Sequence, residues 1–406
     1  MRPTSKKFQV FSWALYDFAN TIFSMNVVSM YFPLWVTVNM GGEDIYYSIA
    51  LSISMGAAGL SMPIIGALSD HIKRRLPFLI GFTLLCAAFT AGISLTNSLL
   101  IGLMLFAVAN YGYQTALAPY DALLPEVSRG VDIGRVSGLG VSLGYVGSIA
   151  GLYMVMPFVD RLGRSAAFVP TGVLFVLFAL PAFLFIKEPH AAKPKRPLEL
   201  RRSFRKILLT LRNTRRYPGL LRFLVANLIY SDAVNTVIVF MAVYASKVIG
   251  MDDKSIRTFL VASTVCAGVG SYAAGYVTDW LGPKRTLMLV LWLWAFTLTL
   301  AGMSPGLTTF WAVGPLAGVS LGGTWVSSRA LVARLTPPRK FGEVYGLYNL
   351  GGKFGFVVGP LLWGAIVLVL KPYGAVAYRA AILSLVVFVL VALYIMRKVP
   401  EDRQRA

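Results

Sequence analysis

Apolar residues in this chain cluster in runs of about twenty positions, and short polar segments separate the runs. A helical run of that length, rising 1.5 Å per residue, crosses a hydrocarbon layer of roughly 30 Å. The pattern predicts twelve helices, at approximately 9–38, 46–69, 76–96, 98–124, 134–157, 165–186, 218–246, 255–278, 285–303, 307–335, 342–370 and 374–397. The longest polar segment, 187–217, follows the sixth and is dense in Lys and Arg, with Pro194 and Pro197. The expected organisation is a six-helix bundle over 1–186, a basic linker over 187–217 and a second six-helix bundle over 218–406. The linker is either a short amphipathic helix on anionic lipid (Leu198, Leu200, Phe204, Ile207, Leu208, Leu211) or solvated coil.

Composition strengthens this reading. Hydrophobic residues make up 57% and charged residues 14% of the chain, against about a quarter charged in a soluble domain. That excludes an ordinary soluble enzyme and a disordered protein. Cys86 and Cys266 fall inside apolar runs, and His71 and His190 are the two histidines. A disulfide framework, a zinc site and His-based catalysis therefore find no ligands or bases. No nucleophile–base pair or Walker sequence appears either, so neither an enzyme nor a cofactor or metal is expected.

The net charge of +21 raises nucleic acid as a partner, but its distribution argues against one. Of the 38 Lys and Arg, 29 sit on the side of the N-terminus and seven opposite. This is a topology signal, which places both termini and the linker in the cytoplasm. The N-terminus leads into a long first run with polar residues and no small-residue cleavage site, the pattern of a retained helix.

Local patterns recur about 210 residues apart. Asp17-x-x-Asn20-Thr21 in the first helix matches Asp232-x-x-Asn235-Thr236 in the seventh. Gly66-x3-Asp70-x2-Lys73-Arg74-Arg75 matches Gly275-x3-Asp279 through Lys284-Arg285. Gly134-x3-Gly138-Leu139 matches Gly342-x3-Gly346-Leu347. Parallel six-helix repeats make two pseudo-symmetric bundles with a substrate site near the midplane, the architecture of an alternating-access transporter.

The G-x-x-x-D loops with their basic pairs resemble the signature of the major facilitator superfamily. Further stretches are Tyr16-Asp17-Phe18-Ala19-Asn20, Asp121 through Glu126, Ser137 through Tyr145, Gly322 through Arg329, and Phe341 through Lys353. They resemble the branch related to autophagy-linked vacuolar amino-acid effluxers and their bacterial homologues. The resemblance spans the whole chain and implies an amino-acid-like substrate. It also implies that helices 1, 4, 7 and 10 line a cavity, with 5 and 11 contributing.

Charges inside a span are costly and need a partner, water or a function. Asp17, Asp232 and Lys353 each lie ten residues beyond a flanking charge, hence roughly 15 Å deep. The carboxylates suit a substrate ammonium or a proton, and Asn20 and Asn235, three residues on, orient a ligand. Lys353 suits a substrate carboxylate; at the 208-residue offset of Gly138 and Gly346 its counterpart is Tyr145. The alternative is an internal ion-pair network. Tyr16, Asn110, Gln114, Tyr145, Trp325, Tyr348 and Asn349 are further midspan candidates, for ligand contact or for interhelical packing. On the cytoplasmic side Asp70, Arg74, Arg75, Asp121, Glu126, Arg135, Asp279, Lys284, Arg285 and Arg329 are expected to form a charged gate that latches one state. Positive-inside anchoring explains most of the cations but not the repeated Asp. Gly351-Gly352-Lys353-Phe354-Gly355 lies in an apolar run after no predicted strand, so it is not a phosphate loop.

The expected function is secondary transport of a small polar solute across the cell (inner) membrane by a monomer, with proton or sodium coupling or none. An amino acid or related zwitterion, moved outward, comes first. A sugar or glycoside carrier, a lipid or amphiphile translocase and a non-transporting sensor are the alternatives.

Overall fold

The computed structural model describes residues 6–72, 74–128, 133–188, 218–336, 344, 348, 350–352 and 354–401. Among the described residues the regular structure is helical throughout. Helix α1 (Lys6–Phe23) continues through π-helical turns at Ser24–Tyr31 and Trp35–Asn39 as one span, Lys6–Asn39. Then come α2 (Asp44–Ile72), α3 (Leu76–Ile93), α4 (Leu99–Val127), α5 (Ile133–Leu162) and α6 (Phe168–Phe185). The second series is α7 (Pro218–Lys247), α8 (Asp253–Leu281), α9 (Pro283–Met303), α10 (Leu307–Leu335), α11 (Val358–Val369) and α12 (Ala375–Arg397).

Ten of these are long and apolar enough to cross a membrane. The other two are α10, whose 29 residues include Arg329, Arg334 and a run of Gly, Ser and Thr, and α11, whose regular part is 12 residues long. The expected eleventh span, 342–370, is interrupted by a turn at Gly355–Val357. The linker expected at 187–217 lies outside the described residues beyond Glu188.

The chain groups into two compact units, residues 1–42 with 53–203 and residues 43–52 with 204–406. The first ten residues of the α2 region thus group with the second unit, a division that apolar runs do not reveal. Inside the first unit α1 packs on α4, α5 and α6, and α3 on α4 and α6. Inside the second, α7 packs on α10, α11 and α12, and α9 on α10 and α12. Each pairing in the first unit has its counterpart six helices later, so the sequence repeat is a packing repeat.

In lipid there is little hydrophobic force between helices, and close contact between small residues replaces it. On α5, Gly140, Gly144, Gly147 and Gly151 lie along one face, against α1. A Cβ on Gly151 would stand 3.0 Å from Ile22. Stacked aromatics fill the space elsewhere, such as Phe32 on Phe106 at 4.3 Å and Phe240 on Trp363 at 5.0 Å.

Candidate substrate and coupling site

In the first unit Asp17 is half-buried on the face of α1 that meets the α5 glycines. A Cβ on Gly140 would lie 2.6 Å from Asp17 Oδ2, so the missing side chain there is what admits the carboxylate. One turn on, Thr21 donates to the Gly144 carbonyl at 2.7 Å and to the Asp17 carbonyl at 3.0 Å. Asn20 is buried, and its Oδ1 has no hydrogen-bond partner. Trp13 stacks on Tyr120 at 4.5 Å and donates to the Tyr120 carbonyl at 3.2 Å, walling this region from the α4 side.

The second unit repeats the arrangement. Asp232 is 4% exposed, and its Oδ1 has no hydrogen-bond partner. A Cβ on Gly359 would stand 3.1 Å from that oxygen, and one on Gly355 would stand 3.2 Å from the Asp232 amide. Thr236 donates to the Asp232 carbonyl at 2.7 Å, and Asn235 donates to the Gly355 carbonyl at 3.4 Å, at the turn that precedes α11. Asp17 and Asp232, Gly140 and Gly355, and Gly144 and Gly359 are each 215 positions apart.

That common offset corrects the sequence-derived register of 208 for these helices. It pairs Lys353 with Gly138, and Tyr145 with Pro360. Lys353 still breaks the symmetry, because a glycine stands at its counterpart. Lys353 and Asn349 themselves lie outside the described residues.

Between α7, α10 and Tyr348 the second unit holds a narrow cleft lined by Asn227, Tyr230, Ser231, Asn235, Trp325 and Ser328. Tyr230 Oη donates to Asn227 Oδ1 at 2.6 Å and shares a 2.7 Å hydrogen bond with Ser328 Oγ. Trp325 is 37% exposed at its edge. Among the described residues this lining is amide, hydroxyl, aromatic ring and the Val234 side chain, with no charge. Asn227, Tyr230, Ser231 and Ser328 were not singled out from sequence. Their signal was present: Asn227, Tyr230, Ser231 and Asn235 are spaced for one polar helix face.

Other candidates fall elsewhere. Tyr16 is fully buried, bonds Thr83 of α3 at 2.7 Å and stacks on Tyr120 at 4.8 Å, all contacts within the bundle. Successive helical positions diverge by about 100°, which turns Tyr16 away from the face that Asp17 occupies. Asn110 is fully buried and donates to Ser54 of α2 at 2.7 Å. Gln114 is buried, and Tyr145 is half-buried on α5.

Of the expected gate, Arg75 bonds Glu126 at 3.0 Å, and its backbone N–H donates to a carboxylate oxygen of Glu188. Arg285 bonds Glu401 at 2.8 Å, and Lys284 donates to the Arg397 carbonyl at 3.3 Å. The described pairs therefore tie each signature loop to helix ends of its own unit, with Glu188 and Glu401 as partners not anticipated. Arg74, Asp121, Asp279 and Arg329 are exposed. The side chains of Asp70 and Arg135 lie outside the described residues.

A second polar cluster, also unanticipated, gathers around the start of α2. Asp44 is 2% exposed and accepts from Tyr378 of α12 at 2.8 Å. Beside it Glu43 pairs with Lys371, and Ser52 donates to the Val357 carbonyl at 3.1 Å. Tyr47 meets Phe240 edge-on at 5.6 Å.

Among the described residues, twelve helices in two packing repeats, each with an Asp-x-x-Asn-Thr helix against a glycine-rich partner, define a multi-pass membrane transporter of the major facilitator type. Solved structures agree on the fold. A point mutant of the nucleoside transporter NupG superposes with a TM-score of 0.80 at 12% identity, covering 96% of this chain and 99% of that one. A bacterial homolog to the human lysosomal transporter Spinster, inward-facing and unoccupied, gives 0.77 at 14% identity, covering 100% and 99%.

The family profile described as vacuole effluxer Atg22 like matches residues 44–406, and the chain belongs to that family. The MFS-type transporter YxiO of Bacillus subtilis is 28% identical over 96% of this chain and 94% of its own length. Autophagy-related protein 22-1 of Penicillium rubens is 24% identical over 66% of this chain and 49% of its own length.

Proposed function

We propose that the protein exports a small zwitterionic solute, an amino acid or a close relative, across the cell membrane by alternating access. In this reading both termini lie in the cytoplasm, as the basic loops argue, and the transport step needs no enzymatic chemistry. The observation that carries the proposal is the buried Asp232 carboxylate, whose Oδ1 has no partner. A carboxylate held this way in a span calls for an ammonium or a proton to balance it. Asp17, at the matching position of the repeat on α1, takes the complementary role, and Asn20 and Asn235 orient the ligand. Lys353 receives the substrate carboxylate. The gate residues latch the cytoplasmic ends. The family's description as effluxers supports outward transport, as does the name of a Lactococcus lactis relative at 24% identity, a multi-drug resistance efflux pump PmrA homolog.

One observation bears on a second reading, a sugar or glycoside: Asn227, Tyr230, Ser328 and Trp325 bring an amide, hydroxyls and a ring to one uncharged cleft of about 10 Å³, which must widen to admit such a ligand. Thermal stabilisation of the purified protein across amino acids, sugars, peptides and lipids separates the two. A ligand at 100 times its dissociation constant adds about 2.7 kcal/mol. An amino-acid response that disappears in Asp17→Asn and Asp232→Asn, both still folded, is the expected outcome. A response to sugars alone replaces the first reading with the second, and silence to all soluble solutes overturns both.

A further inference from the structure

Where α8 gives way to α9 the second unit carries a cleft of about 220 Å³, lined by Asp279, Trp280, Lys284, Arg285, Arg334 and Glu401. Gly282 makes the corner with φ +87°, a conformation that a residue with a Cβ adopts only under strain. The corner leaves room for Arg334, whose Nη1 stands 3.5 Å from where a Cβ on Gly282 would be. Three cations thus face two carboxylates. The Arg285–Glu401 pair is at least half exposed on both sides, so it holds its partners weakly and yields to a competing anion.

A stripe of exposed rings and aliphatics runs from this cleft along α8. Trp280 is 82% exposed, Tyr276 63%, Tyr272 71%, Val269 64% and Val265 51%. Their spacing of three or four residues puts them on one helix face. From Trp280 to Val269 the stripe is roughly 16 Å long, the depth of one leaflet of a ~30 Å core. Tyr272 and Tyr276 hydroxyls share one 2.8 Å hydrogen bond, which satisfies the donor of the pair and leaves one O–H to be met by a headgroup oxygen or water. Trp280 sits at the charged end, where Trp residues mark the membrane–water boundary.

We propose that this surface binds one anionic phospholipid, with its phosphodiester among Arg334, Lys284 and Arg285 and an acyl chain along Tyr272, Tyr276 and Trp280. The charge balance selects the ligand. Among the described residues the lining carries one net positive charge, which one phosphodiester charge neutralises, whereas Asp279 and Glu401 oppose a dianion. The site lies within the second unit and does not depend on the identity of the transported solute.

The test is lipid binding to the full-length protein in detergent, read by native mass spectrometry. Phosphatidylglycerol, phosphatidylcholine, phosphatidylethanolamine and inorganic phosphate are titrated separately. Phosphatidylglycerol is expected to bind at least tenfold more tightly than the other lipids. Arg334→Gln is expected to weaken it about fivefold, the worth of one cation at an anionic surface, while Arg334→Lys retains binding. Trp280→Ala, at an exposed position, is expected to weaken phosphatidylglycerol as well and serves as the deciding variant if Arg334→Gln fails to fold. Equal binding of phosphatidylglycerol and phosphatidylcholine overturns the proposal. So does inorganic phosphate binding as tightly as the lipid and unaffected by Trp280→Ala, which would make the cleft a small-anion site.

Discussion

Gly359 stands so close to Asp232 that a methyl group on it would lie 3.1 Å from the carboxylate Oδ1 and 3.0 Å from the same residue's carbonyl. Thr236 Oγ1 is nearer still. Two of these three atoms are held in place, the carbonyl by the helix and the hydroxyl by its bond to that carbonyl. Gly359→Ala must therefore push α11 away from α7. Overpacking of this kind costs about 1–3 kcal/mol, so the melting temperature of the purified variant should fall and Asp232 should lose its setting. Gly138→Ala is the control. A Cβ there meets nothing within 4 Å, and Ala is the better helix former, so its melting temperature should not fall.

Asp44 predicts a similar loss from a different cause. Tyr378→Phe removes the hydroxyl that Asp44 Oδ2 accepts at 2.8 Å. Asp44 Oδ1 already has no partner, so the variant leaves a buried carboxylate with neither oxygen bonded to Tyr378. Stripping a partner from a buried acceptor costs about 1–3 kcal/mol, and more when it is charged. Thermal unfolding should show Tyr378→Phe clearly destabilised. Lys371→Ala, which breaks the exposed pair with Glu43, should leave the melting temperature unchanged. A larger effect for Lys371 than for Tyr378 would overturn this account.

The contrast between these sites shows what the sequence carried and what it did not. Apolar run length alone located most helices, because a span has to match the bilayer whatever its neighbours do. The D-x-x-N-T repeat led to Asp17 and Asp232 because a charge in an apolar run is visible without any structure. Asp44 was invisible for the opposite reason: at the polar edge of a run it reads as a loop acid, and its hydrogen-bond partner Tyr378 is 334 positions away. Glu188 and Glu401 were missed in the same way, since periodicity says nothing of long-range pairing. The helix-11 register slipped by seven residues because Gly134-x3-Gly138 and Gly342-x3-Gly346 match as strings. The glycines that fix the packing are instead those beside the two Asp, Gly140 with Gly144 and Gly355 with Gly359.

Trp325 separates ligand contact from support of the fold. Its indole edges the uncharged cleft at 37% exposure, whereas Tyr230 is fully buried and bonded to Asn227 and Ser328. Tyr230→Phe should lower stability by about 1 kcal/mol through the lost hydroxyl bonds. Trp325→Ala should leave the unliganded melting temperature nearly unchanged and reduce the stabilisation given by whichever solute binds. Equal loss of unliganded stability in both variants would make Trp325 a packing residue.

Asp252 offers a pH test outside the spans. It caps α8, accepting the Ser255 amide at 3.0 Å, and hydrogen bonds from the Ser255 hydroxyl and then its amide hold its carboxyl below the ordinary carboxylate value. The folded form thus prefers the ionised state more than the unfolded chain does. The stabilisation is complete above the unfolded value of about 3.9 and disappears as pH falls through the lower folded value. At neutral pH Asp252→Ala should cost about 1 kcal/mol, the usual worth of such a cap. The gap between wild type and Asp252→Ala should narrow on acidification below about pH 4. Asp252→Asn keeps the accepting oxygen without the charge, so its difference from Asp252→Ala should not vary with pH. Melting temperatures of the three proteins from neutral to acid pH decide the matter: a wild-type advantage that grows on acidification would reverse the sign and rule out the ionised cap.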